Sequence, residues 1–556
     1  MDFKKEIAKR IKIEGISPEQ IETCFSTPPS TQMGDLALPC FNFAKVLKKA
    51  PQTIAQDLGQ NLQELPFVEK TEVINGYLNI YFDRKYFCED LMPNLSKSDF
   101  YHQNIGQGKK ACVEYSSVNL AKFMHIGHYN CTILGESIAR MYEFFGYDVV
   151  RINYIGDYGT PFGKMVVAYK LWGDKQKVEQ NGIDEIQNLY VKFNREENDE
   201  LMTLARQASK NIEDKQGEDY QIYKWFIQIS KQKVEDIISR LGIKFDDWRG
   251  ESYYNDKMQN VKDELENAGL LKQSEGAKIV DLSDMGLGIC VVERSDGGSL
   301  YITRDLAAVE DRFERYNFDK LVYITAVQQD SHFEKLFTLC KLLNKPYSDK
   351  LLHVGYGMFS TPEGKIASRK GKQAVLEDIL AEAKQKALDI IKDRGFEPEQ
   401  MDKVAETIAQ GAMAFSIFKV ETTKDKVFDL QTAISFDGET APYIQYTYAR
   451  ILSVIKKSGC VADYQNFDIY SDDNAYDLLK DLQDLKNCIY NAFLGSEPSI
   501  IARKVLHICS LFNQYYNKEK IVGGNFESQK IALCTMINKA IKTSLNLLCI
   551  NVVDAM

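Results

Sequence analysis

The chain has 556 residues, 44% of them apolar and 11% aromatic, and a formal charge of −10. That length exceeds what one hydrophobic core serves, so three or four domains are expected, and the composition excludes a disordered chain. The acidic balance excludes a generally basic nucleic-acid binder but leaves room for RNA on local basic patches. The amino-terminal MDFKKEIAKRIK has no apolar signal core. No apolar run nears the roughly 20 residues that span a bilayer, so no membrane contact is expected. Twelve cysteines are scattered without a CxxC pair, and six histidines form no ligand-like cluster. Reduced thiols, a cytoplasmic location and no structural metal are therefore expected.

Residues 1–85 read as a small α+β domain. Helical apolar spacing covers 7–13 and 36–48, and Pro51 suits the first turn of a helix over 52–62. TEVINGYLNIYF alternates about Asn75-Gly76, the signature of a type I′ hairpin. It sets Leu78, Ile80 and Phe82 on one face and Tyr77, Asn79 and Tyr81 on the other. Lys45, Lys48 and Lys49 form a basic cluster on the predicted 36–48 helix, either a solvated face or an RNA contact. Residues 86–108 read as a link.

A βαβ unit follows. The apolar run 111–115 predicts a strand, and a Ser/Asn loop leads to His125-Ile126-Gly127-His128. A helix then runs to about residue 145, Gly146 stops it, and 149–152 is a second strand. Backbone N–H groups at a helix start favour phosphate, and two imidazoles there add donors. Residues 171–255 are helical and heavily charged, an insertion. Strand-like runs at 277–280, 289–292 and 321–324 predict the other half of a doubly wound sheet, with ligands at the carboxyl ends of its strands. A Gly/Lys-rich loop then carries four cations in residues 365–372, a pattern that can neutralise a polyphosphate. Beyond about Glu377 the chain reads as helix, with segments 442–455, 500–516 and 529–549 suggesting a bundle.

His125-Ile126-Gly127-His128 matches the HIGH signature letter for letter. Lys365-Ile366-Ala367-Ser368-Arg369 is similar to a degenerate KMSKS loop. With VEYSSVNLAKFMHIGH, NYIGDYGTPFGK, YITRDLAAVEDR, VYITAVQQDSH and APYIQYTYARILS in order, nearly the whole chain resembles the arginyl-tRNA synthetases of class I. The resemblance implies a multidomain α/β protein. A small α+β tRNA-elbow domain with its linker would occupy 1–108. A split Rossmann-type catalytic domain with the helical insertion would occupy 109–385, and an all-α anticodon-binding bundle 386–556. It implies ATP-dependent attachment of L-arginine to tRNA through an arginyl-adenylate, with transfer to the terminal ribose. Two alternatives remain at this stage: a class I enzyme for another amino acid, and a non-catalytic tRNA-binding paralogue.

The same resemblance implies site residues. His125, His128, Lys122 and Lys365 would be catalytic. Gly127, Gly357, Met358, Ser368 and Arg369 would join the histidines at ATP, which enters with Mg²⁺. A guanidinium demands carboxylates. Asp305 is the first choice for it, with a helix N-cap as its other reading. Glu114 would meet the ammonium or guanidinium, and Ser117, Asn119, Tyr301 and Gln329 would complete the arginine site. Tyr446 and Arg450, on one helix with Tyr443 and Tyr448, would stack on tRNA. A monomer is expected. The chain departs from the family pattern at Val118, where proline is usual, and at Tyr158, where tryptophan is usual.

Overall fold

A computed structural model describes residues 3–28, 31–294, 301–360 and 375–556. At its centre lies a four-stranded parallel sheet in the spatial order Leu351–Tyr356, Lys320–Ala326, Lys110–Glu114, Asp148–Ile152. Cys112, Val113, Leu321, Val322, Tyr323 and Ile324 are buried, as central strands covered on both faces require. The chain winds outward from Lys110–Glu114 in one direction and from Lys320–Ala326 in the other. The switch point therefore falls between those two strands, where Glu114 is paired with Tyr323. A crevice at the carboxyl ends of the strands is the ligand position in such sheets.

The helix Ile126–Phe144 crosses between the first two strands. It lies very close to the strand end: a Cβ on Gly135 would sit 2.2 Å from the fully buried Tyr115. Tyr115 in turn donates from its hydroxyl to Glu136 at 2.7 Å. Only glycine permits that approach, and it fixes the histidine-bearing end of the helix against the sheet. At the other end Gly146 takes a φ of +88° and the chain turns into the next strand.

Three expectations need correction. Residues 36–48 are not one helix but a strand, Leu36–Pro39, then a 3₁₀ turn and the short helix Ala44–Leu47. Pro39 would break a helix interior, and it sits well on an edge strand, opposite Tyr77. Lys48, at φ +50°, ends the short helix, so the three lysines share no helical face. The helix Arg84–Leu95 runs into the presumed link 86–108. It docks on the carboxy-terminal bundle, with Phe87 edge-on to Tyr476 and Arg84 Nη2 2.5 Å from Asp473. The runs at 277–280 and 289–292 are absent from the parallel sheet. They form, with Leu271–Ser274, an antiparallel meander. The physical reason is the connections: Glu275-Gly276, both at positive φ, joins the first pair in two residues and 283–287 joins the second, whereas a parallel pair needs a crossover of about a dozen residues. The fourth parallel strand is Leu351–Tyr356, which periodicity did not pick out.

The hairpin about Asn75-Gly76 is as expected, both residues at positive φ. Its second face is also covered, with Asn79 and Tyr81 buried. The insertion forms helices between Lys175 and Arg240 and returns through the 3₁₀ turn Glu251–Lys257. The carboxy-terminal region packs the helices Pro398–Phe418, Ala441–Ser458, Asp473–Gly495, Ser499–Lys518 and Glu527–Leu547. One short exception interrupts this helical region: Lys426–Val427 pairs in parallel with Phe359–Ser360.

Candidate active site

Two pockets open at the carboxyl ends of the two middle strands, and they share Ser117, Thr325 and Gln329. The first, about 480 Å³, is lined by Glu114, Glu251, Asp305, Arg312, Tyr154 and Tyr301 among others. The second, about 300 Å³, is lined by His125, Gly127, His128, Tyr356, Met358 and Phe359 among others. The backbone between them is unusual. Ser116 and Ser117 both adopt left-handed φ values, +70° and +48°, which non-glycine residues seldom do outside functional or strained loops. Ser117 N donates to Asn153 Oδ1 at 3.1 Å. Leu120 N donates to Gly156 O, and Gly156 N to Val118 O. The loop that starts with Ser117 is thereby stitched to residues 153–156, and buried Val118 fills the place where proline is usual in the pattern.

The first pocket is built on the helix Tyr301–Tyr316. Tyr301, Asp305, Ala308 and Arg312 fall on one face, at i, i+4, i+7 and i+11. Asp305 is in the second turn rather than at the helix start, so it is not an N-cap; its Oδ2 lies 2.6 Å from His332 Nε2. Tyr301 stands largely exposed at the mouth. Glu114 is 4% exposed and its Oε2 lies 2.5 Å from Nη1 of Arg312, which is 1% exposed. Burial pushes the Glu114 carboxyl up to about 6 against the pull of that guanidinium. Glu251 lies 3.2 Å from Arg304, whose guanidinium rests 4.4 Å above the ring of Tyr158. Tyr158 thus keeps an aromatic shelf. Burial raises Glu251 to about 7, Arg304 opposing and the charges of Asp305 and Asp157 adding to the rise.

Three carboxylates and the guanidinium of Arg312 line the pocket, and Arg304 pairs with Glu251 from outside the lining; fully ionised, these five groups leave one negative charge uncompensated. The Nε and Nη2 of Arg312, the hydroxyl of Tyr154 and Oγ of Ser117 are buried without hydrogen-bond partners. Such a pocket suits a ligand of net charge +1 that also brings acceptors.

In the second pocket the two histidines cap their own helix. His125 Nδ1 accepts from Gly127 N at 3.1 Å, and His128 Nδ1 accepts from His125 N at 3.2 Å. The rings stack 3.8 Å apart. With each Nδ1 accepting, the proton of the neutral ring is on Nε2. Burial lowers both imidazoles, His128 to about 3 with His125 and Lys122 adding to the effect. Near neutral pH the pair is therefore two uncharged donors. Lys122 is exposed beside them. Asn119 accepts from Ala121 N at 2.9 Å, which holds the approach to the histidines.

Met358 lines the second pocket and Gly357 precedes it, but their backbone N–H groups are already used. Gly357 N donates to Thr422 O and Met358 N to Asp425 Oδ1. What Met358 offers the pocket is therefore its side chain rather than its backbone N–H. Lys365, Ser368 and Arg369 lie outside the described residues. Tyr446 and Arg450 meet on the Ala441–Ser458 helix, the guanidinium 4.6 Å above the ring, and Arg450 also donates to Asn513 at 2.9 Å. Tyr448 is buried and belongs to the core.

Sequence reasoning missed Glu251, Arg312, Tyr154 and His332. Arg312 was within reach, since the helix face through Tyr301 and Asp305 arrives at it two turns later. Glu251 carried no local signal.

Comparison with known proteins agrees with this geometry. The family model "tRNA synthetases class I (R), catalytic domain" matches residues 91–430. "Arginyl tRNA synthetase N terminal domain" matches 1–82, and "DALR anticodon binding domain" matches 444–556. The arginine–tRNA ligase of Clostridium acetobutylicum is 38% identical, and that of Halothermothrix orenii 37%, each over 100% of both chains. The arginyl-tRNA synthetases of Thermus thermophilus and Plasmodium falciparum share the fold, each with a TM-score of 0.81 over 100% of this chain, at 22% and 20% identity. They cover 99% and 98% of those chains, respectively. The HIGH-type histidine pair, the carboxylate pocket beside it and full-length relatives at this identity make one conclusion: the chain belongs to the class I arginyl-tRNA synthetase family.

Proposed function

We propose that the two pockets divide between them the reaction this family membership gives the chain, the ATP-dependent attachment of arginine to tRNA. The first pocket takes arginine. The single observation that carries this is its charge: three carboxylates against two guanidiniums match a substrate with two positive groups and one negative. Asp305 and Glu251 receive the guanidinium. Glu114, held ionised by Arg312, receives the α-ammonium, with Ser117, Asn119, Tyr301 and Gln329 as polar contacts. The second pocket takes Mg–ATP. Mg²⁺ that enters with ATP would be held by phosphates and water and would neutralise phosphate charge.

Because Ser117, Thr325 and Gln329 line both pockets, the arginine carboxylate and the α-phosphate meet there. A carboxylate oxygen attacks phosphorus, and the bond to pyrophosphate breaks. Nε2–H groups of His125 and His128 donate to the phosphate oxygens as charge builds, and Lys122 adds a cation at the rim. The ribose hydroxyl of tRNA then attacks the acyl carbon and AMP leaves. The amino-terminal domain takes the tRNA elbow and the helical region the anticodon, where the half-exposed Tyr446–Arg450 stack offers a platform for bases. One chain suffices, since a single chain lines both pockets. A cytoplasmic setting suits its twelve free thiols.

The test is ATP–pyrophosphate exchange with a panel of amino acids, with and without tRNA. Exchange with arginine, dependent on tRNA, is expected. Exchange with another amino acid and none with arginine would overturn the assignment.

Glu251 adds a pH signature. With its carboxyl near 7 in the free protein, cation binding below that pH must displace a proton. Arginine affinity therefore rises as pH increases from 6 to 8, by about tenfold for a single linked proton. Glu114, near 6, pushes the same way at the acid end. Initial-rate measurements of KM for arginine across this range should find that fall, and Glu251→Gln should flatten it above pH 6.5.

A further inference from the structure

The nucleotide pocket is not supported by the catalytic sheet alone. Met358 and Phe359 line it, and on one side Gly357 O accepts from Asn130 Nδ2 of the histidine helix at 3.3 Å. On the other side they are bound along their length by residues 422–428. Gly357 N donates to Thr422 O at 3.0 Å, Lys426 N to Met358 O at 2.7 Å and Phe428 N to Ser360 O at 2.8 Å. Asp425 accepts from Met358 N at 2.7 Å. The fit is tight enough that a Cβ on Gly357 would lie 2.1 Å from Lys424 O.

This strap is itself held from the helical region. Glu497 sits in the turn between the helices Asp473–Gly495 and Ser499–Lys518. Its carboxylate accepts from Thr422 N, at 3.2 and 2.9 Å to the two oxygens, and from Thr422 Oγ1 at 3.0 Å. Thr422 is buried, and so is Lys426, whose ammonium donates to Thr422 O at 3.2 Å. Burial pulls that ammonium down to about 8 against the attraction of Glu497 and Asp425. A buried lysine is costly to hold, and here it closes the same strap from beneath. A carboxylate gripping a buried backbone N–H and hydroxyl is among the stronger hydrogen-bonding arrangements.

We infer that Glu497 is a positioning residue for the nucleotide pocket: by locking Thr422 it fixes the 422–428 strap, and the strap fixes Met358 and Phe359 beside the histidine pair. The residue touches no substrate. It acts through two layers of hydrogen bonds, from the helical region to the catalytic domain. The inference rests on reading the histidine pocket as the ATP site.

Glu497→Gln is the direct test, because the amide turns one acceptor into a donor facing Thr422 N–H while keeping volume. Thr422→Val removes the hydroxyl from the other end. In the full chain, both variants should raise KM for ATP about three- to tenfold. KM for arginine and tRNA affinity, measured by filter binding, should stay within about twofold. The melting temperature, followed by circular dichroism, should stay within a few degrees. Unchanged KM for ATP in both variants overturns the inference. So does a parallel loss in all three substrates with a lowered melting temperature, which marks a general packing role. If the unsubstituted chain supports pyrophosphate exchange yet ATP protects neither His125 nor His128 from diethyl pyrocarbonate, the pocket assignment fails instead, and with it the premise.

Discussion

Asp305→Asn lowers kcat/KM for arginine by about 25- to 300-fold and leaves KM for ATP within about twofold. The expectation comes from the geometry of one oxygen. Oδ2 of Asp305 is engaged with His332 at 2.6 Å, and Asp305 lines the first pocket. Asparagine preserves shape and can still pair with the imidazole, so the helix Tyr301–Tyr316 has no reason to move. What it loses is the negative charge opposite a guanidinium. Removing one partner of a largely desolvated, hydrogen-bonded charge pair costs about 2–5 kcal/mol, and each 1.4 kcal/mol is tenfold. The Asp305 side chain is 21% exposed, so the lower half of that range applies. The charge tally of the pocket also falls from one uncompensated negative charge to none, which removes the reason for a ligand of net charge +1. Steady-state kinetics with arginine and ATP varied separately decide the matter. If arginine kinetics are unchanged, the guanidinium is held by Glu251 alone, and the pH signature of that residue becomes the whole of the recognition.

The site was legible in the sequence wherever its chemistry was local. Ser117, Asn119, Lys122, His125 and His128 lie within a dozen residues, and strand, loop and helix start follow from patterning over that span. Tyr301 and Asp305 share one turn of one helix. Glu251 and Arg312 were not legible because their meaning comes from partners far away. Glu251 acquires its raised carboxyl from burial beside Arg304, Asp305 and Asp157. Arg312 is explained only by Glu114, about 200 residues earlier, brought opposite by the register of the parallel strands. The fold divides in the same way. Apolar runs at 277–280 and 289–292 announced strands but not their partners. The short connections, Glu275-Gly276 before the first run and 283–287 between the two, were the decisive cue for antiparallel pairing. Likewise the apolar spacing over 36–48 outweighed Pro39, although the missing N–H of that proline is what turns the segment into an edge strand.

The second large effect concerns the histidines. His128→Ala should lower kcat/KM for ATP by about 10²–10³, and the unsubstituted enzyme at saturating arginine should show no fall in that parameter as pH rises from 6.5 to 8. The first half follows from the loss of one preorganised donor at the developing phosphate charge, worth about 2.7–4 kcal/mol in comparable sites. The second half follows from tautomer and burial. An imidazolium donor with an ordinary pKa near 6.5 would lose its charge across this range, and the rate would fall about tenfold for each unit above it. Here burial holds His128 at about 3, so it is already neutral at pH 6.5 and stays so, and burial shifts His125 in the same direction. Their donors survive because Gly127 N and His125 N occupy the two Nδ1 positions and leave the protons on Nε2. Saturating arginine removes the titration of Glu251 from the profile. The substitution also deletes one bond of the helix cap, a loss of about 1 kcal/mol, which a melting curve measures separately from the kinetic effect. His128→Gln, whose amide can still donate, should recover part of the rate. A descending limb centred near pH 6.5 in the unsubstituted enzyme would mean that charge, rather than a pair of fixed neutral donors, is what the stacked histidines bring to the phosphate.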